Sequence, residues 1–210
     1  MFTGIIQELA QVSDITVSSF GKKIIINRPE SFSGIVIGES IALNGVCLTV
    51  ASYTNENILF DVVQETLDKT NIQVLNIGHA VNLERCMKLN SRIEGHIVQG
   101  HVESTATIVD HKRAAGSSEL FIAVNDEILR YCIHKGSITI DGVSLTIADI
   151  KKNIISIALI PHTLSCTNLG SKDKGDYVNI ETDVLGRYID HFLNLNSNNN
   201  PSDYFIEKLK

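Results

Sequence analysis

The sequence has little of what several protein classes require. Its 210 residues include no tryptophan and only three prolines, and no apolar run approaches the ~20 residues of a membrane-spanning helix. The 18 Lys and Arg residues are outnumbered by 24 Asp and Glu residues, which gives a net charge of −6, and they form no basic cluster. A nucleic-acid groove usually needs such a basic face. We therefore expect no nucleic-acid partner and no membrane partner.

Paired cysteines and metal-ligand spacing are also missing. The four cysteines lie far apart without a CxxC pair, and the seven histidines contain no pair at the spacing of a zinc site. The first ten residues include Glu8 but no basic residue, which does not fit a signal peptide. Cysteines of a chain that is not exported are normally reduced thiols. We expect a cytoplasmic protein with free cysteines and no metal site.

The chain does contain a long internal repeat. Three segments of the first half recur in the second half at an offset of 97 residues, and 12 of the 22 paired residues are identical. The pairs are Asn44–Val50 with Asp141–Ile147, Gln64–Asn71 with Pro161–Asn168, and Gly78–Glu84 with Gly175–Glu181. A period of this length indicates two duplicated domains rather than a solenoid of short repeats. We place these domains at residues 1–96 and 97–184.

Each half has the composition and pattern of a β domain. Ile and Val supply 29 and 16 residues, and β-branched side chains favour strands. Six short apolar or alternating segments in each half predict six strands, and closing them into a barrel removes exposed edges. Asn44-Gly45 and Asp141-Gly142 are dipeptides typical of tight hairpin turns. The sequence predicts an all-β fold of two homologous six-stranded barrels, with helical turns at residues 65–70 and 162–167.

After the second repeat the apolar period changes to that of a helix. Apolar residues fall at helical spacing at Leu185, Tyr188, Ile189, Phe192 and Leu193. Either Asp183 or Thr182 would cap this helix. We predict a C-terminal helix at residues 185–195, followed by a polar tail at residues 196–210. The stripe fits self-association or docking onto the chain's own barrel, and the pattern alone does not decide between them.

Several segments together resemble the riboflavin synthase family over residues 1 to about 193. They are Met1–Ile5, the paired NGVCLTV and DGVSLTI segments, Gly95–His101 and the paired Thr-Leu-x-x-Thr-Asn segments. The resemblance implies Greek-key topology for both barrels and a homotrimer that the C-terminal helix helps to assemble. It implies no cofactor and no metal. It leaves open whether lumazine synthase binds the trimer.

The same resemblance implies a reaction between two molecules of one substrate, 6,7-dimethyl-8-ribityllumazine. One molecule gives a four-carbon unit to the other, and the products are riboflavin and 5-amino-6-(D-ribitylamino)uracil. Each active site would join the first barrel of one chain to the second barrel of another. The rival interpretation is a non-catalytic lumazine- or flavin-binding antenna protein of the same fold. Such proteins have a degraded second pocket, whereas the DGVSLTI segment is intact here.

The residues that the resemblance assigns to substrate binding form two groups. The first pocket would contain Gly4, Ile5, Ile6, Cys47, Leu48, Thr49, Asp61, Val62, Val63, Gln64, Glu65 and Thr66. The second would contain Gly100, His101, Val102, Lys135, Ser144, Leu145, Thr146, Ile160, Pro161, His162, Thr163, Leu164 and Ser165. Phe2, beside the first group, would stack on or cover a ring of the ligand. The alternative for Lys135 is a solvated turn residue.

Catalytic candidates come from the positions at which the two copies differ, because two equal pockets cannot supply one donor and one acceptor. By resemblance these are Cys47, His101, Ser144 and Asp183; the resemblance adds Thr146, which is identical in the first copy as Thr49. Cys47 aligns with Ser144, and either would position a nucleophilic water or hydroxyl. A thiol with the ordinary pKa of ~8.5 is mostly protonated, so a covalent role for Cys47 is the less favoured version.

The remaining candidates have structural alternatives as well. His101 stands where the first copy has Ile5, and a histidine of ordinary pKa (~6.5) would take protons from the methyl group on carbon 7 of the ligand. Asp183 replaces Cys86 and would be a polar group of the second barrel, or only the helix cap. Cys47 and Ser144 would otherwise be small buried strand residues.

Overall fold

Two closed antiparallel barrels follow each other along the chain. The computed structural model describes residues 1–114 and 116–198, and side chains up to residue 194. The strands of the first barrel are β1 (Glu8–Ser18), β2 (Gly21–Asn27), β3 (Ser40–Leu43), β4 (Val46–Tyr53), β5 (Asn57–Val63) and β6 (Ala80–Arg85). They close in the order β1-β2-β5-β4-β3-β6. Strands β3, β4 and β5 form a meander, and β5 ends beside β2, the strand that precedes the meander. This arrangement is a Greek key.

The second barrel repeats the first strand for strand. Its strands are β7 (Ser104–Ala114), β8 (Ser117–Ala123), β9 (Ser137–Ile140), β10 (Val143–Lys151), β11 (Ile154–Leu159) and β12 (Tyr177–Thr182). They close in the order β7-β8-β11-β10-β9-β12, which is the equivalent ring. The predicted fold of two homologous six-stranded barrels is therefore confirmed.

Each barrel encloses its own apolar core. Alternate residues of the strands point inward, so that Ile24, Ile26 and Phe60 are fully buried in the first barrel and Ile108 and Ile122 in the second. Burying a side chain of this size stabilises the fold by about 1.5–3 kcal/mol. Because both interiors are filled by side chains, a ligand can bind only on the outside of the barrels.

The turn between β3 and β4 and the turn between β9 and β10 meet where the barrels touch. Asn44, Gly45, Asp141 and Gly142 all adopt positive φ, as a type I′ hairpin turn requires. A Cβ on Gly45 would lie 2.6 Å from the nitrogen of Gly142, and one on Gly142 would lie 2.7 Å from the nitrogen of Gly45. Glycine is needed in both turns because any side chain would push the barrels apart.

Buried amide side chains bind the two barrels to each other. The Asn71 N–H donates to Asn179 Oδ1 and the Asn168 N–H donates to Asn82 Oδ1, both at 2.7 Å. The carboxylate of Asp141 accepts from the Asn179 N–H at 2.7 Å and from Asn71 Nδ2 at 2.8 Å. The Asn71–Asn179, Asn168–Asn82 and Asn71–Asp141 bonds each join one barrel to the other, so the network fixes how the barrels are oriented.

The short helices differ partly from the prediction. Helical turns were expected after the fifth strand of each half, and they are α1 (Gln64–Lys69) and α3 (Pro161–Cys166). Three short elements were not expected. They are the 3-10 turns Asn71–Val74 and Asn168–Ser171, which follow α1 and α3, and the helix α2 (Asp126–Leu129). Four residues are too few for a helical period to show in a sequence.

The C-terminal helix α4 (Val184–Asn198) turns its polar side toward its own barrel. Asp183 Oδ1 accepts from the Leu185 N–H at 3.0 Å, so Asp183 rather than Thr182 caps the helix. The Tyr131 hydroxyl lies 3.2 Å from Asp190 Oδ2, and Arg187 pairs with Glu103 at 3.6 Å. These polar contacts hold α4 against the second barrel.

The apolar stripe of α4 faces away from the barrel. Its five residues are 57–65% exposed, and they are Leu185, Tyr188, Ile189, Phe192 and Leu193. The stripe therefore does not dock on the chain's own barrel. The helix includes residues 196–198, which were predicted as the start of the tail, and residues 199–210 lie outside the described part. No helix within the described residues is long and apolar enough to cross a membrane.

Candidate active site

The segments that precede the two barrels exchange places. Phe2 and Val98 form an antiparallel bridge, with N–H···O distances of 2.7 and 3.1 Å. From this bridge the N-terminal segment crosses to the second barrel, where the Ser144 N–H donates to the Gly4 carbonyl at 2.7 Å. Ile6 packs against the core of that second barrel. The segment before β1 thus contributes to the pocket of the other barrel.

The segment before β7 makes the reciprocal contact. The Cys47 N–H donates to the Gly100 carbonyl at 2.9 Å, and Val102 packs against the core of the first barrel. We predicted Gly4–Ile6 in the first pocket and Gly100–Val102 in the second, and these contacts reverse that assignment. Gly4–Ile6 belongs beside Ser144–Thr146, and Gly100–Val102 belongs beside Cys47–Thr49. The repeat alignment correctly pairs equivalent residues, but it does not reveal which barrel a connecting segment touches.

Two buried glutamates hold the exchanged segments, and they were absent from the predicted site. Glu84 accepts from the Thr3 N–H and hydroxyl at 2.7 Å and from the Gly4 N–H at 3.0 Å. Glu181 accepts from the N–H groups of Gln99, Gly100 and His101 at 2.7–3.0 Å. Burial raises the pKa of both carboxyl groups, although these hydrogen bonds act in the opposite direction. Glu84 and Glu181 are identical in the third repeated segment, which was the signal available in the sequence.

Glycine permits the close approach of each segment. Gly4 and Gly100 have φ values of 75° and 78°, in the left-handed region. A Cβ on Gly4 would lie 2.6 Å from Ser144 Cβ, and one on Gly100 would lie 2.7 Å from Cys47 Cβ. Each pocket therefore has a segment backbone pressed against the residue that differs between the copies.

The strands present alternate residues to the outside of the barrels. Cys47 and Ser144 are half-buried, and Thr49 and Thr146 are exposed two residues farther on. The side chain of Leu48 points into the first core, and so does that of Val62, which leaves only their backbones for a ligand. The remaining predicted binding residues on or beside β5, α1, β11 and α3 are exposed or half-buried, and they are Asp61, Val63, Gln64, Glu65, Thr66, Ile160, Pro161, His162, Thr163, Leu164 and Ser165.

Phe2 does not have the role that we predicted. Its ring is fully buried and packs with Ala42 and Val98 against Cys47 and Cys86. It has no exposed face on which a ligand ring could stack. We therefore assign Phe2 a supporting role beneath Cys47.

Lys135 occupies a backbone position that favours glycine. Its φ is 65°, and its N–H donates to the Ile147 carbonyl at 2.9 Å. The equivalent Gly38 has φ 90° and donates to the Val50 carbonyl at the same distance. A non-glycine residue in this conformation costs roughly 1–2 kcal/mol. The exposed lysine side chain thus stands at a place where the fold itself would prefer glycine.

His101 stands between Gly100 and Val102, which contact the first barrel, but its side chain faces residues of the second half. Its side chain is exposed, while its N–H is held by Glu181. It lines a cleft of about 550 Å³ together with Val102, Tyr131 and Arg187, between the exchanged segment and the start of α4. A ligand held by Gly100–Val102 would reach this histidine.

His96 is a site residue that was not among the predicted ones, although it lies within the segment Gly95–His101. Its Nδ1 lies 2.7 Å from Ser144 Oγ, and its Nε2 lies 3.1 Å from Thr139 Oγ1. Burial lowers the pKa of His96, and the charge of Asp183 partly opposes this shift. A predominantly neutral imidazole at pH 7 therefore touches the hydroxyl group of Ser144.

Comparison with known proteins identifies both repeats. The profile of the family described as Lumazine binding domain matches residues 3–86 and 99–183. The chain is 42% identical over 193 residues to riboflavin synthase of Actinobacillus pleuropneumoniae, covering 92% of this chain and 90% of that protein. It is 38% identical over 208 residues to riboflavin synthase of Bacillus subtilis (strain 168), covering 99% and 96%.

Solved structures agree with this assignment at the level of the fold. Two structures of LumP, complexed with 6,7-dimethyl-8-(1′-D-ribityl) lumazine and with riboflavin, give TM-scores of 0.79 and 0.81. They are 26% and 28% identical to this chain, and each comparison covers 87% of this chain and 99% of the other. From the two matched repeats and the identity over most of its length, the chain belongs to the riboflavin synthase family, with a lumazine-binding domain in each half.

Proposed function

We propose that each barrel binds one molecule of 6,7-dimethyl-8-ribityllumazine and that a four-carbon unit passes from one bound molecule to the other. The products are riboflavin and 5-amino-6-(D-ribitylamino)uracil. The observation that carries this proposal is the presence of two equivalent pockets with unlike chemistry. Cys47 lies in one and Ser144 in the other, and each N–H is bonded to an exchanged segment. Two copies of one substrate can therefore take different roles.

Positioning supplies most of the rate in this account. Two rings held face to face in opposed orientations react as if within one molecule, an effect worth up to roughly 7–11 kcal/mol. Matched threonines stand at both pockets to hydrogen-bond an uncharged ligand with a polyol tail: Thr49 and Thr66 in the first, Thr146 and Thr163 in the second. Individual acid–base groups such as His101 and Asp183 add about 10²–10⁴-fold each.

We further propose that the active site forms between chains of a homotrimer. The exposed apolar stripe of α4 supports this, because an unpaired stripe on a helix fixed by polar contacts is a surface suited to a second copy. The first barrel of one chain would then face the second barrel of another. Lys135, exposed at its strained turn, would extend from one barrel toward the ligand of its neighbour.

The rival function is lumazine or flavin binding without catalysis, which the similarity to the LumP structures favours. The higher identity to riboflavin synthases and the intact second pocket favour the enzyme. Purified protein incubated with 6,7-dimethyl-8-ribityllumazine alone tests this. We expect riboflavin to appear at half the molar amount of substrate consumed. Tight binding without riboflavin would support the rival.

We also propose a cytoplasmic location and leave a lumazine synthase partner as a testable association. The four cysteines are free thiols, with Cys166 exposed, which suits a reducing compartment. Co-sedimentation of the purified protein with purified lumazine synthase measures the association. Independent sedimentation of the two would contradict it.

A further inference from the structure

The N-terminal exchanged segment is held by a side chain of the barrel that it leaves, not of the barrel whose pocket it completes. Glu84, on β6 of the first barrel, accepts from the N–H groups of Thr3 and Gly4 at 2.7 and 3.0 Å. The carbonyl of the same Gly4 accepts from the Ser144 N–H on β10, at the second pocket. A short stretch of backbone therefore connects a carboxyl group of the first barrel to the pocket of the second.

The segment before β7 makes the reciprocal connection. Glu181 stands on β12 of the second barrel and accepts from three successive N–H groups, those of Gln99, Gly100 and His101. The Gly100 carbonyl accepts from the Cys47 N–H on β4, at the first pocket. Both glutamates are almost fully buried. Each exchanged segment is thus fixed between a carboxyl group of one barrel and a strand N–H of the other.

Each carboxyl group uses both of its oxygens as acceptors. Oε1 of Glu181 accepts from Gln99, and its Oε2 accepts from both Gly100 and His101. Glu84 divides its donors between its two oxygens in the same way. A carboxamide has one acceptor oxygen, and its NH₂ group would face an N–H donor. The arrangement therefore requires a glutamate, although a glutamine has the same shape.

We propose that Glu84 and Glu181 are positioning residues that act crosswise, so that Glu84 sets the affinity of the second pocket and Glu181 sets that of the first. This inference rests on the proposed function, since it concerns the binding of a lumazine at these two pockets. The crossing follows from the path of the segments, because each glutamate and the pocket that it supports lie in different barrels. Neither barrel then has a complete pocket without a side chain of the other.

The two connections differ in what else they position. The segment held by Glu181 includes the catalytic candidate His101, whose N–H lies 3.0 Å from Glu181 Oε2. The segment held by Glu84 has Ile5 at the equivalent place. Glu181 therefore fixes the backbone of a side chain that can transfer protons as well as a wall of the pocket. Glu84 fixes a wall of the pocket, and its loss should affect binding more than chemistry.

Amide hydrogen exchange in the full-length protein, measured without ligand and at one pH, tests the crossing directly. In Glu181→Gln the Cys47 N–H should lose protection about 10–100-fold, as expected when hydrogen bonds to a charged group are lost. The Ser144 N–H should keep its wild-type protection. In Glu84→Gln the pattern should be reversed. Glu56→Gln, which changes an exposed glutamate of the first barrel, should leave both amides protected.

Loss of protection at the pocket of the glutamate's own barrel, or equal loss at both pockets, would overturn the proposal. If Glu84→Gln does not fold, Thr3→Val is a milder test, because it removes the hydroxyl that donates to Glu84 Oε1 at 2.7 Å and keeps the backbone donor. Exchange at the Ser144 N–H should then rise by a smaller factor. A change at the Cys47 N–H, or none at Ser144, would refute the role of Glu84.

Kinetics with 6,7-dimethyl-8-ribityllumazine separates positioning from general destabilisation. Glu84→Gln should raise KM about 10–100-fold with little change in kcat. Glu181→Gln should raise KM similarly and also lower kcat about 10²-fold or more, because His101 is displaced. A wild-type KM in both variants, or a loss of kcat confined to Glu84→Gln, would overturn the proposal. If the wild-type protein forms no riboflavin but the exchange pattern is crossed, the proposed function fails while the crossed support of the segments stands.

Discussion

Single residues define each pocket through very close contacts. Gly4 and Gly100 bring backbone against Ser144 and Cys47, and no other residue type fits there. The sequence identified these residues by resemblance and by repetition, but it placed them in the wrong pockets. An alignment of two copies records equivalence along the chain, whereas the exchange is a property of how the segments cross between barrels. His96 was missed for a similar reason, because its partner Thr139 is distant in sequence.

We expect Gly100→Ala to destabilise the protein and to abolish ligand binding by the first barrel. The new Cβ would meet Cys47 Cβ at 2.7 Å. Overpacking of this kind costs about 1–3 kcal/mol, beyond the strain of the left-handed backbone. Gly78→Ala is the matched control, because Gly78 has φ +87° and open space within 4 Å. Urea unfolding and lumazine titration compare the two variants; equal losses would mean that the close approach is unimportant.

Elements were predicted well wherever a period had room to appear. The six strands of each half were predicted correctly from alternation and β-branched content. The 3-10 turns and α2 escaped because one turn of helix has no period. For α4 the apolar stripe was visible in the sequence, but the direction in which it faces was not. That direction follows from tertiary contacts of Asp190 and Arg187, which a pattern of apolar residues does not contain.

The stripe of α4 leads to a prediction about assembly. The double variant Ile189→Glu and Phe192→Glu should sediment as species smaller than the trimer, because it places charges in the surface that a second copy would bury. Activity should fall with the trimer. Val17→Glu changes an apolar residue of β1 that is 78% exposed and should leave the assembly intact. A fully active trimer of the double variant would contradict the role of α4.

At the scale of the whole molecule, the buried amide network decides how the two barrels are held. Its members repeat in both copies except that Asn44 is replaced by Asp141. Burial raises the pKa of Asp141 above its ordinary 3.8, although Lys172 and three hydrogen bonds act against this. The sequence showed the repeated asparagines, but not that they face one another across the contact between barrels.

Asp141 makes the free energy of unfolding fall as the pH rises. A carboxyl group with a raised folded-state pKa binds its proton more tightly when folded, so its contribution to stability is present below pH 3.8 and is lost as pH rises through the raised pKa. Asp141→Asn, which restores the residue of the first copy, should flatten the fall of the unfolding free energy with rising pH. Glu84 and Glu181 remain in both proteins, so the difference isolates Asp141. Asp149→Asn should act in the opposite sense, because Lys151 lowers the pKa of Asp149. Parallel stability curves for wild type and Asp141→Asn would refute this account.

The central claim is that catalysis needs a first pocket and a second pocket from different chains. Two variants cripple them separately with matched changes: Thr49→Ala with Thr66→Ala in the first, and Thr146→Ala with Thr163→Ala in the second. Each homotrimer should form almost no riboflavin. Trimers refolded from an equimolar mixture should regain part of the wild-type rate, because intact first barrels then meet intact second barrels. A mixture that stays as inactive as its parents, with mixed trimers demonstrated by mass spectrometry, would contradict the account.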